Sequence, residues 1–310
     1  MGKFEVSIII PYFNNIDYLN RLLKSIGNHE DIQVLVIDDN STKNIDEYEK
    51  LKNTPPIKNI RFLTNTSGNK GAGSSRNIGL ENADGKWVIF ADSDDFFVEE
   101  YYKVIKKYFK SDYDAIFFTP TSIDLSTGKL SDRHIYHENA INRYIKNKTK
   151  ENEYVIRYKL YVPWSKMINK SFIDKFNIKF HEVIAKNDSY FSANVGHYMN
   201  NFITSKDVIY CATWHDNGNV TKRKDFEFVE HSTKSRIKLL KFMENKLSKE
   251  IQKIINYDSI PYYLIRDFKN AEIEKEYIEQ SIQMFNEAGF KVNHFGNLYE
   301  RIKDWVANKV

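Results

Sequence analysis

The sequence predicts an α/β fold: a mostly parallel sheet with helices on both of its faces, followed by a helical C-terminal region. Two patterns predict it. Over the first hundred residues, short apolar segments alternate with segments of helical spacing, which is typical of a parallel sheet. From residue 225 the composition shifts to Lys, Glu, Ile and Leu with helical spacing alone, which favours helices without strands.

Four apolar segments in the first hundred residues are predicted to be strands, and three segments with apolar residues at helical steps are predicted to connect them. The strands are expected at residues 5–11, 33–37, 59–63 and 86–91. The helices are expected at residues 16–26, 45–52 and 74–82. Ligands of such sheets bind beyond the carboxyl ends of the strands. The polar segments at 11–15, 38–41 and 92–95 should therefore converge.

The pattern loosens after residue 100. The remaining predictions are a helix at 99–109, strands at 115–119 and 208–212, and a mixture of helix and loop at 164–176. The change of composition places a boundary near residue 222. We therefore expect a first domain over residues 1–222 and a helical region over residues 223–310.

Composition excludes several classes of protein. Apolar residues make up 41% of the 310 residues and aromatic residues 15%, so wholesale disorder is excluded. The single cysteine, Cys211, excludes an internal disulfide framework and fits a reducing cytoplasm. A formal net charge of only +4 excludes a polycation that binds nucleic acid through its overall charge. The apolar stretch in MGKFEVSIII is too short for a signal peptide, and no run approaches the roughly 18–20 residues of a membrane span.

The clearest chemical signal is the acidic cluster Asp92-Ser93-Asp94-Asp95, which follows a buried strand. Carboxylate oxygens are ligands of hard divalent cations, and Mg²⁺ is often held by one or two carboxylates plus nucleotide phosphates. The alternative is a helix that begins at Asp95, because acidic residues are favoured at helix N-termini. The position after a parallel strand favours the metal.

Two further polar segments follow predicted strands. Residues 38–41 (DDNS) suit hydrogen bonds to a nucleotide, or a turn that caps the next helix. Residues 69–77 (NKGAGSSRN) open a predicted helix, where backbone N–H groups attract phosphate. A plain flexible loop is the alternative for this second segment, because a GxG pattern alone is weak.

Together these segments resemble the family 2 glycosyltransferases of the GT-A fold, a Rossmann-like fold. The resemblance is carried by residues 7–14 (SIIIPYFN), 36–41 (VIDDNS), 71–79 (GAGSSRNIG) and 90–95 (FADSDD), in matching order and spacing. It is strong over residues 4–100, weaker to about 222, and absent from 225–310. It implies an inverting glycosyltransferase with a nucleotide-diphosphosugar donor, UDP being the expected nucleotide, and Mn²⁺ or Mg²⁺.

The resemblance also implies roles for individual residues. Nucleotide-sugar binding would involve Pro11, Tyr12, Phe13, Asn14, Asp39, Gly71, Arg76, Asp92, Ser93 and Arg223. The metal would be held by Asp92, Asp94 and His215. His215 and Arg223 belong to a segment, 214–223, that resembles the loop closing over the diphosphate. A phosphate contact is the alternative for His215, and a role as surface polar groups is the alternative for both residues. Residues 1–100 would bind the nucleotide-sugar and residues 101–222 would form the acceptor side.

The acceptor side has its own motif resemblance. Residues 178–182 (IKFHE) and 186–191 (KNDSYF) resemble the segment that carries the general base, which implies Asp188 as base and Glu182 in the acceptor site. Trp164 fits a position that lines the acceptor site. Asn187 stands where the family has glutamate. The alternative for Asp188 is a cap at the start of a helix.

The expected function is therefore transfer of a sugar to a glycan or lipid-linked acceptor in surface polysaccharide synthesis. The alternatives are a sugar-nucleotidyltransferase and a non-catalytic glycan-binding or scaffold protein. Residues 231–256 carry seven Lys or Arg and two Glu. They predict a helix packed on the first domain, a peripheral contact with an anionic membrane, or a homodimer interface. The expected location is the cytoplasm, with the inner face of the cell membrane as the second possibility.

Overall fold

The computed structural model describes residues 3–214 and 223–292. Its centre is an eight-stranded sheet. The strands are β1 (Phe4–Tyr12), β2 (Ile32–Asp38), β3 (Ile60–Thr64), β4 (Gly85–Phe90), β5 (Phe96–Phe97), β6 (Ala115–Asp124), β7 (Lys166–Asn169) and β8 (Phe202–Trp214). Their spatial order is β3-β2-β1-β4-β7-β6-β8-β5.

The sheet is mixed but mostly parallel. The pairs β1–β2, β1–β4, β2–β3 and β6–β8 are parallel. The exceptions are β7, which runs antiparallel between β4 and β6, and the short β5, which is antiparallel to β8. Because β1 is parallel to both β2 and β4, the carboxyl ends of these three strands lie at one edge of the sheet.

Helices flank the sheet on both faces, as predicted. They are α1 (Ile16–Ile26), α2 (Ile45–Asn53), α3 (Ala72–Glu81), α4 (Tyr101–Lys106), α5 (Ile135–Lys146), α6 (Lys150–Lys159), α7 (Lys170–Lys175) and α8 (Asp188–Tyr198). Successive residues of a strand face opposite sides, and accordingly Ile8 and Ile10 pack in one buried cluster while Ile9 packs in the other. The first cluster includes α1 residues, and the second includes residues of α5, α7 and α8.

The C-terminal region is helical over its described part. It contains α9 (Phe226–Lys246), α10 (Lys249–Ile254), α11 (Ile260–Asn270) and α12 (Lys275–Glu287). Their apolar faces form a third cluster, into which Tyr158, Ala185 and Ala193 of the first domain also pack. No helix in the described part of the chain is both long and apolar enough to span a membrane.

The strands predicted in the first hundred residues are correct to within one or two residues, and five later predictions need correction. Residues 164–176, predicted to mix helix and loop, also contain the strand β7, because this segment pairs with β4 and β6. The helix predicted at 99–109 covers only 101–106. The strands predicted at 115–119 and 208–212 extend to Asp124 and over 202–214, because these two segments pair with each other. The basic segment 231–256 is broken after Lys246, where the Ser248 hydroxyl accepts from the Ile251 N–H and starts α10.

Candidate active site

The acidic cluster lies at the carboxyl end of β4. The chain leaves the strand at Phe90 and turns, and the Asp95 N–H donates to the Asp92 carbonyl across 3.0 Å. One carboxylate oxygen from each of Asp92, Asp94 and Asp95 lies within 4.8 Å of the others. The next regular element is β5, and the next helix begins at Tyr101, so a helix start at Asp95 is wrong.

Asp95 supports the cluster from inside the protein. Its side chain is fully buried and accepts hydrogen bonds from the Tyr210 hydroxyl (2.8 Å) and the Thr213 N–H (2.6 Å). The Tyr210 oxygen in turn accepts from the Asp92 N–H. Burial and the two neighbouring carboxylates raise the pKa of Asp95 well above its usual range. Asp92 and Asp94 are only half-buried, so these two carboxylates are the ones open to a ligand.

Arg76, a residue of α3, links the acidic cluster to the segment that precedes α8. Its guanidinium donates to the Asp92 carboxylate (2.5 Å) and to the Asn187 side-chain oxygen (2.8 Å), and it lies over the ring of Phe180. Burial raises the pKa of Asp92, and the Arg76 charge opposes this rise. With the neutral Asn187 in place of the expected glutamate, Arg76 has one carboxylate partner here rather than two.

Asp39 connects the ends of the first two strands to the glycine-bearing loop. Its N–H donates to the Tyr12 carbonyl (2.9 Å), and its carboxylate accepts from the Asn65 amide (2.5 Å) and the Gly71 N–H (2.7 Å). Burial raises the pKa of Asp39. Nearby, the Asn14 side chain accepts from the N–H groups of residues 42 and 43. Segments 11–15 and 38–41 therefore converge as expected, and segment 92–95 follows β4, whose carboxyl end lies at the same edge of the sheet.

The residues after β1 differ in exposure. Pro11 and Tyr12 are buried, and Tyr12 stacks on Tyr48 with ring centroids 4.9 Å apart. Phe13, in contrast, is 54% exposed, the only residue of this set that presents an open aromatic face. Of the predicted nucleotide contacts at this position, Phe13 is thus the one able to stack on a base without rearrangement.

Glu182 holds the segment that precedes α8 against α3. Its carboxylate accepts from the side-chain amides of Asn69 (2.8 Å) and Asn77 (3.0 Å). A Cβ added to Gly73 would lie 2.3 Å from the His181 carbonyl oxygen, so only glycine allows this close approach. The glycines of this loop therefore have a packing role as well as any role toward a ligand.

Asp188 is the first residue of α8 and is half-buried. The N-cap position belongs to Asn187, so Asp188 is not the cap that the alternative prediction required. Its charge opposes the fall in pKa that burial causes at Lys166 and Lys186. It also adds to the rise that burial causes in the pKa of Tyr161. A base at Asp188 stays a prediction.

The other predicted site residues have varied surroundings. Trp164 is buried and stacks on Tyr210, so it packs beneath the acidic cluster. Ser93 lies in the turn between the two ligand-facing carboxylates. Arg223 pairs with Asp225 (2.7 Å) and Glu227 (2.6 Å) at the start of α9. His215 lies outside the described residues. Contacts of these four predicted site residues with a donor, an acceptor or a metal stay predictions.

Arg133 is a residue of this site that the sequence did not suggest. It lies between β6 and α5, and its guanidinium donates to the Thr213 carbonyl. Burial lowers the pKa of Arg133, but the three cluster carboxylates outweigh burial and raise it. Arg133 is thus a fixed positive charge opposite the acidic cluster. A single arginine in a loop carries no motif, so only the fold could place it here.

The donor atoms fit a divalent cation. Asp92 and Asp94 each offer a hard oxygen ligand, which suits Mg²⁺ or Mn²⁺. Asp95 stabilises the turn through its buried hydrogen bonds to Tyr210 and Thr213. Fixed cations, at Arg76 and Arg133, lie beside the same carboxylates. The arrangement can therefore bind a metal together with a phosphorylated ligand.

Comparison with known proteins gives one family. The family model described as "Glycosyl transferase family 2" matches residues 7–176 of this chain. An uncharacterised glycosyltransferase of Rickettsia felis is 35% identical over 106 residues, which is 34% of this chain and 17% of that protein. The poly(ribitol-phosphate) beta-N-acetylglucosaminyltransferase TarP of Staphylococcus aureus is 30% identical over 180 residues, 57% of this chain and 52% of that protein. The matched segments thus span about half or less of these relatives.

Solved structures share the fold. S. aureus TarS superposes with a TM-score of 0.64 at 21% identity, over 94% of this chain and 50% of that one. TarS residues 1–349 in complex with UDP-GlcNAc give a TM-score of 0.55 at 18% identity, over 93% and 90% of the chains. A mannosyltransferase from Pyrobaculum calidifontis in complex with GDP-Man and Mn²⁺ gives 0.60 at 13% identity, over 98% and 80%.

Proposed function

The chain belongs to glycosyl transferase family 2, and from this premise we propose that it moves a sugar from a UDP-sugar to a hydroxyl group of a glycan or lipid-linked acceptor. The observation that carries the proposal is the convergence at one sheet edge of Asp39, Arg76 and the Asp92–Asp94 pair. UDP-GlcNAc is the first donor to test, because TarS residues 1–349 were solved with it. Surface polysaccharide synthesis is the setting that TarP and TarS suggest.

The donor would lie across the ends of β1, β2 and β4. Phe13 offers a stacking surface for the base, and Asp39 offers a hydrogen-bond acceptor for it. The metal would be held by Asp92 and Asp94, as Mn²⁺ or Mg²⁺, and would neutralise charge on the diphosphate. Arg76 keeps the Asp92 carboxylate oriented, so the site is organised before the donor arrives.

The acceptor would approach from the side of α8. Asp188 would take the proton from the acceptor hydroxyl while that oxygen bonds to the anomeric carbon and the bond to the diphosphate breaks. A single displacement of this kind inverts the anomeric centre. Glu182 positions the acceptor segment through Asn69 and Asn77, while Trp164 supports the site from below.

The remaining parts of the proposal concern organisation and location. Residues 1–222 would be the catalytic domain and 223–310 a helical region. Arg223 would close on the diphosphate after leaving its partners Asp225 and Glu227, and His215 would be a further metal ligand. We place the enzyme in the cytoplasm, where UDP-sugars are made, with α9 and α10 near the inner membrane face or a second copy of the chain.

A donor panel tests the proposal. Purified protein is assayed for UDP release from UDP-GlcNAc, UDP-glucose and UDP-galactose, with Mn²⁺ and a bacterial wall-polymer acceptor. We expect one UDP-sugar to give transfer to the polymer. Formation of a nucleotide-sugar from a nucleoside triphosphate and a sugar phosphate would instead identify a nucleotidyltransferase. Binding of the polymer without UDP release from any donor would identify a glycan-binding protein.

A further inference from the structure

Lys166 is a buried lysine at the start of β7 that the proposed mechanism does not use. Its side chain is only 4% exposed, and its Nζ atom lies 5.3 Å from the centroid of the Phe117 ring. No carboxylate of residues 3–214 and 223–292 forms an ion pair with it. A buried charge without a counter-ion is unfavourable, and a methionine of similar length would avoid this cost. The lysine therefore indicates a role beyond the filling of space.

The hydrogen bonds of Lys166 join the end of α6 to α8. Its Nζ atom donates to the Leu160 carbonyl (2.5 Å) and to the Ser192 hydroxyl (3.4 Å). The Ser192 hydroxyl donates in turn to the Tyr161 carbonyl (2.6 Å). Burial lowers the pKa of Lys166 to about 7. Both the ammonium and the neutral amine have at least two N–H donors, so the two bonds of Lys166 persist in either form.

Ser192 lies one helical turn after Asp188 in α8. Side chains four residues apart on a helix lie on the same face, so the support that Lys166 gives to α8 reaches the face that carries Asp188. Because Lys166 is buried, it offers no surface to an acceptor. Its effect on the reaction would therefore pass through the position of Asp188 and not through contact with a substrate.

The segment 164–166 also contacts the acidic cluster. Trp164 stacks on Tyr210 with ring centroids 5.6 Å apart, and the Tyr210 hydroxyl donates to a carboxylate of that cluster. Ser165 is fixed to β6 by two hydrogen bonds of 3.0 Å, one from its hydroxyl to the Phe118 carbonyl and one from the Phe118 N–H to its own carbonyl. The segment is thus anchored on the sheet, with the acidic cluster supported at one end and α8 at the other.

We propose that Lys166 is a positioning residue, which fixes the start of α8, and with it Asp188, at a set distance from the carboxylates of the acidic cluster. This inference rests on the proposed function, in which Asp188 is the base and the cluster holds the metal. The acceptor oxygen, the anomeric carbon and the diphosphate must be aligned for a single displacement. The base and the metal act at opposite ends of that line, so their separation has to be maintained.

A cap for the end of α6 is the competing explanation. The last carbonyls of a helix lack partners within the helix, and a cation near them is stabilising. Lys166 would then matter for stability alone. Lys86 provides a matched control, because its Nζ atom also donates to two carbonyls, those of Phe109 and Ser111, at 2.8 Å each. It lies at the start of β4, whereas the acidic cluster follows the end of that strand.

The experiment compares the wild type with Lys166→Met, Ser192→Ala and Lys86→Met, each made alone and together with Asp188→Asn. Single-turnover transfer is measured with the UDP-sugar and the acceptor that the wild type uses, the Kd of that UDP-sugar by calorimetry, and the folded fraction by urea denaturation. Per folded molecule, we expect Lys166→Met to slow transfer about tenfold or more, because a small misplacement of a reacting group can cost about 10²-fold. The Kd should stay within about twofold, because the change is distant from the proposed donor contacts.

The variants that also carry Asp188→Asn distinguish positioning from stability. If Lys166 acts through Asp188, adding Lys166→Met to Asp188→Asn should change the transfer rate by less than about twofold, because both changes then remove the same contribution. Ser192→Ala should show the same pattern with a smaller loss, and it provides the test if Lys166→Met does not fold. Lys86→Met should lower stability and leave the transfer rate of the folded protein unchanged.

Several outcomes would overturn the inference. Equal proportional losses from Lys166→Met with and without Asp188→Asn would show a role independent of the base, and an equal loss in Lys86→Met would show general destabilisation. Transfer by folded Lys166→Met at the wild-type rate, or by Asp188→Asn at that rate, would leave nothing for Lys166 to position. The proposed function fails separately, if the wild type turns over no UDP-sugar, whereas an active wild type with any of these outcomes overturns only the role of Lys166.

Discussion

At the scale of single residues, the three aspartates of the acidic cluster differ in burial and in their hydrogen-bond partners. Asp95 is fully buried and holds Tyr210 and Thr213, whereas Asp92 and Asp94 remain half-buried. Mutual repulsion and burial both raise the pKa of Asp92 and Asp95, so a cation at this place would be bound favourably. This is the physical reason to expect a metal here rather than three solvated acids.

Asp94→Ala should weaken donor binding and transfer together, because it removes one of two open carboxylates while leaving the bonds of Asp95 in place. We expect transfer to fall by at least about 10²-fold, in the range known for loss of a preorganised electrostatic contact. Steady-state kinetics with a Mn²⁺ titration measures it. Asp112→Ala, in a surface loop, is the matched control. Full wild-type activity in excess EDTA would contradict the metal assignment.

Asp39→Ala should act mainly on binding. It removes the acceptor of the Gly71 N–H and the Asn65 amide, and with it the proposed contact to the base. We expect the KM for the donor to rise about tenfold with kcat within about threefold, because such contacts are equal in ground and transition states. Initial-rate kinetics over a range of UDP-GlcNAc concentrations separates the two. A fall in kcat alone would assign Asp39 to the chemical step.

Asp188→Asn should slow the chemical step. The substitution keeps the shape of the side chain and removes its basicity, so donor binding should be near normal while transfer falls about 10²–10⁴-fold. Single-turnover transfer and thermal-shift binding of UDP-GlcNAc measure the two effects. Transfer within about threefold of wild type would place the base elsewhere, with Glu182 the next residue to test.

The single residues also show what a sequence can reveal about a site. The open carboxylates and Asp39 directly follow apolar segments, so their place at the sheet edge could be predicted. The role of Asp95 could not, because its partners Tyr210 and Thr213 come from a strand more than a hundred residues later. Arg133 carries no local pattern. Its environment depends on how distant segments pack, which periodicity does not encode.

At the scale of elements, buried strands with apolar runs were predictable, whereas α5 and α6 were not. The segment from 135 to 159 is polar, and few of its residues are buried: Ala140 and Ile141 in α5, and Ile156 and Tyr158 in α6. With so narrow an apolar face, the hydrophobic spacing is weak. These helices are fixed instead by tertiary contacts. Arg157, for example, donates to the carbonyls of Gly196 and Met199 at 2.7 Å each.

The contact between α6 and α8 gives a prediction for stability. A Cβ added to Gly196 would lie 1.8 Å from the Arg157 carbonyl oxygen. Alanine favours a helix over glycine by about 1 kcal/mol. The added Cβ would overlap the backbone of Arg157, however, and we expect the cost of that overlap to exceed the gain in helix propensity. We expect Gly196→Ala to lower the free energy of unfolding by about 1–3 kcal/mol or more, measured by urea denaturation. Glu151→Ala, exposed on α6, should change it by less than about 0.5 kcal/mol.

A Gly196→Ala variant as stable as the wild type would mean that α6 and α8 can separate without cost.

At the scale of the whole molecule, the C-terminal helices are part of the packing of the first domain. Tyr158, Ala185 and Ala193 pack into their apolar cluster, the Ile184 N–H donates to His231 (3.1 Å), and the Ser235 hydroxyl donates to the Lys186 carbonyl (2.6 Å). The resemblance that covers residues 4–222 gives no information about these contacts. They place α9 directly against the segment that carries Asp188, the proposed base.

The antiparallel strand β7 also bears on the order in which the chain can fold during synthesis. β4 pairs with β1 on one side and with β7 on the other, and β7 consists of residues 166–169. As the ribosome delivers the chain from its N-terminus, the first four strands can assemble while the outer edge of β4 is still unpaired. That edge is a template for pairing with other chains until β7 emerges and covers it. The first four strands therefore depend on the arrival of the later segment for protection from aggregation.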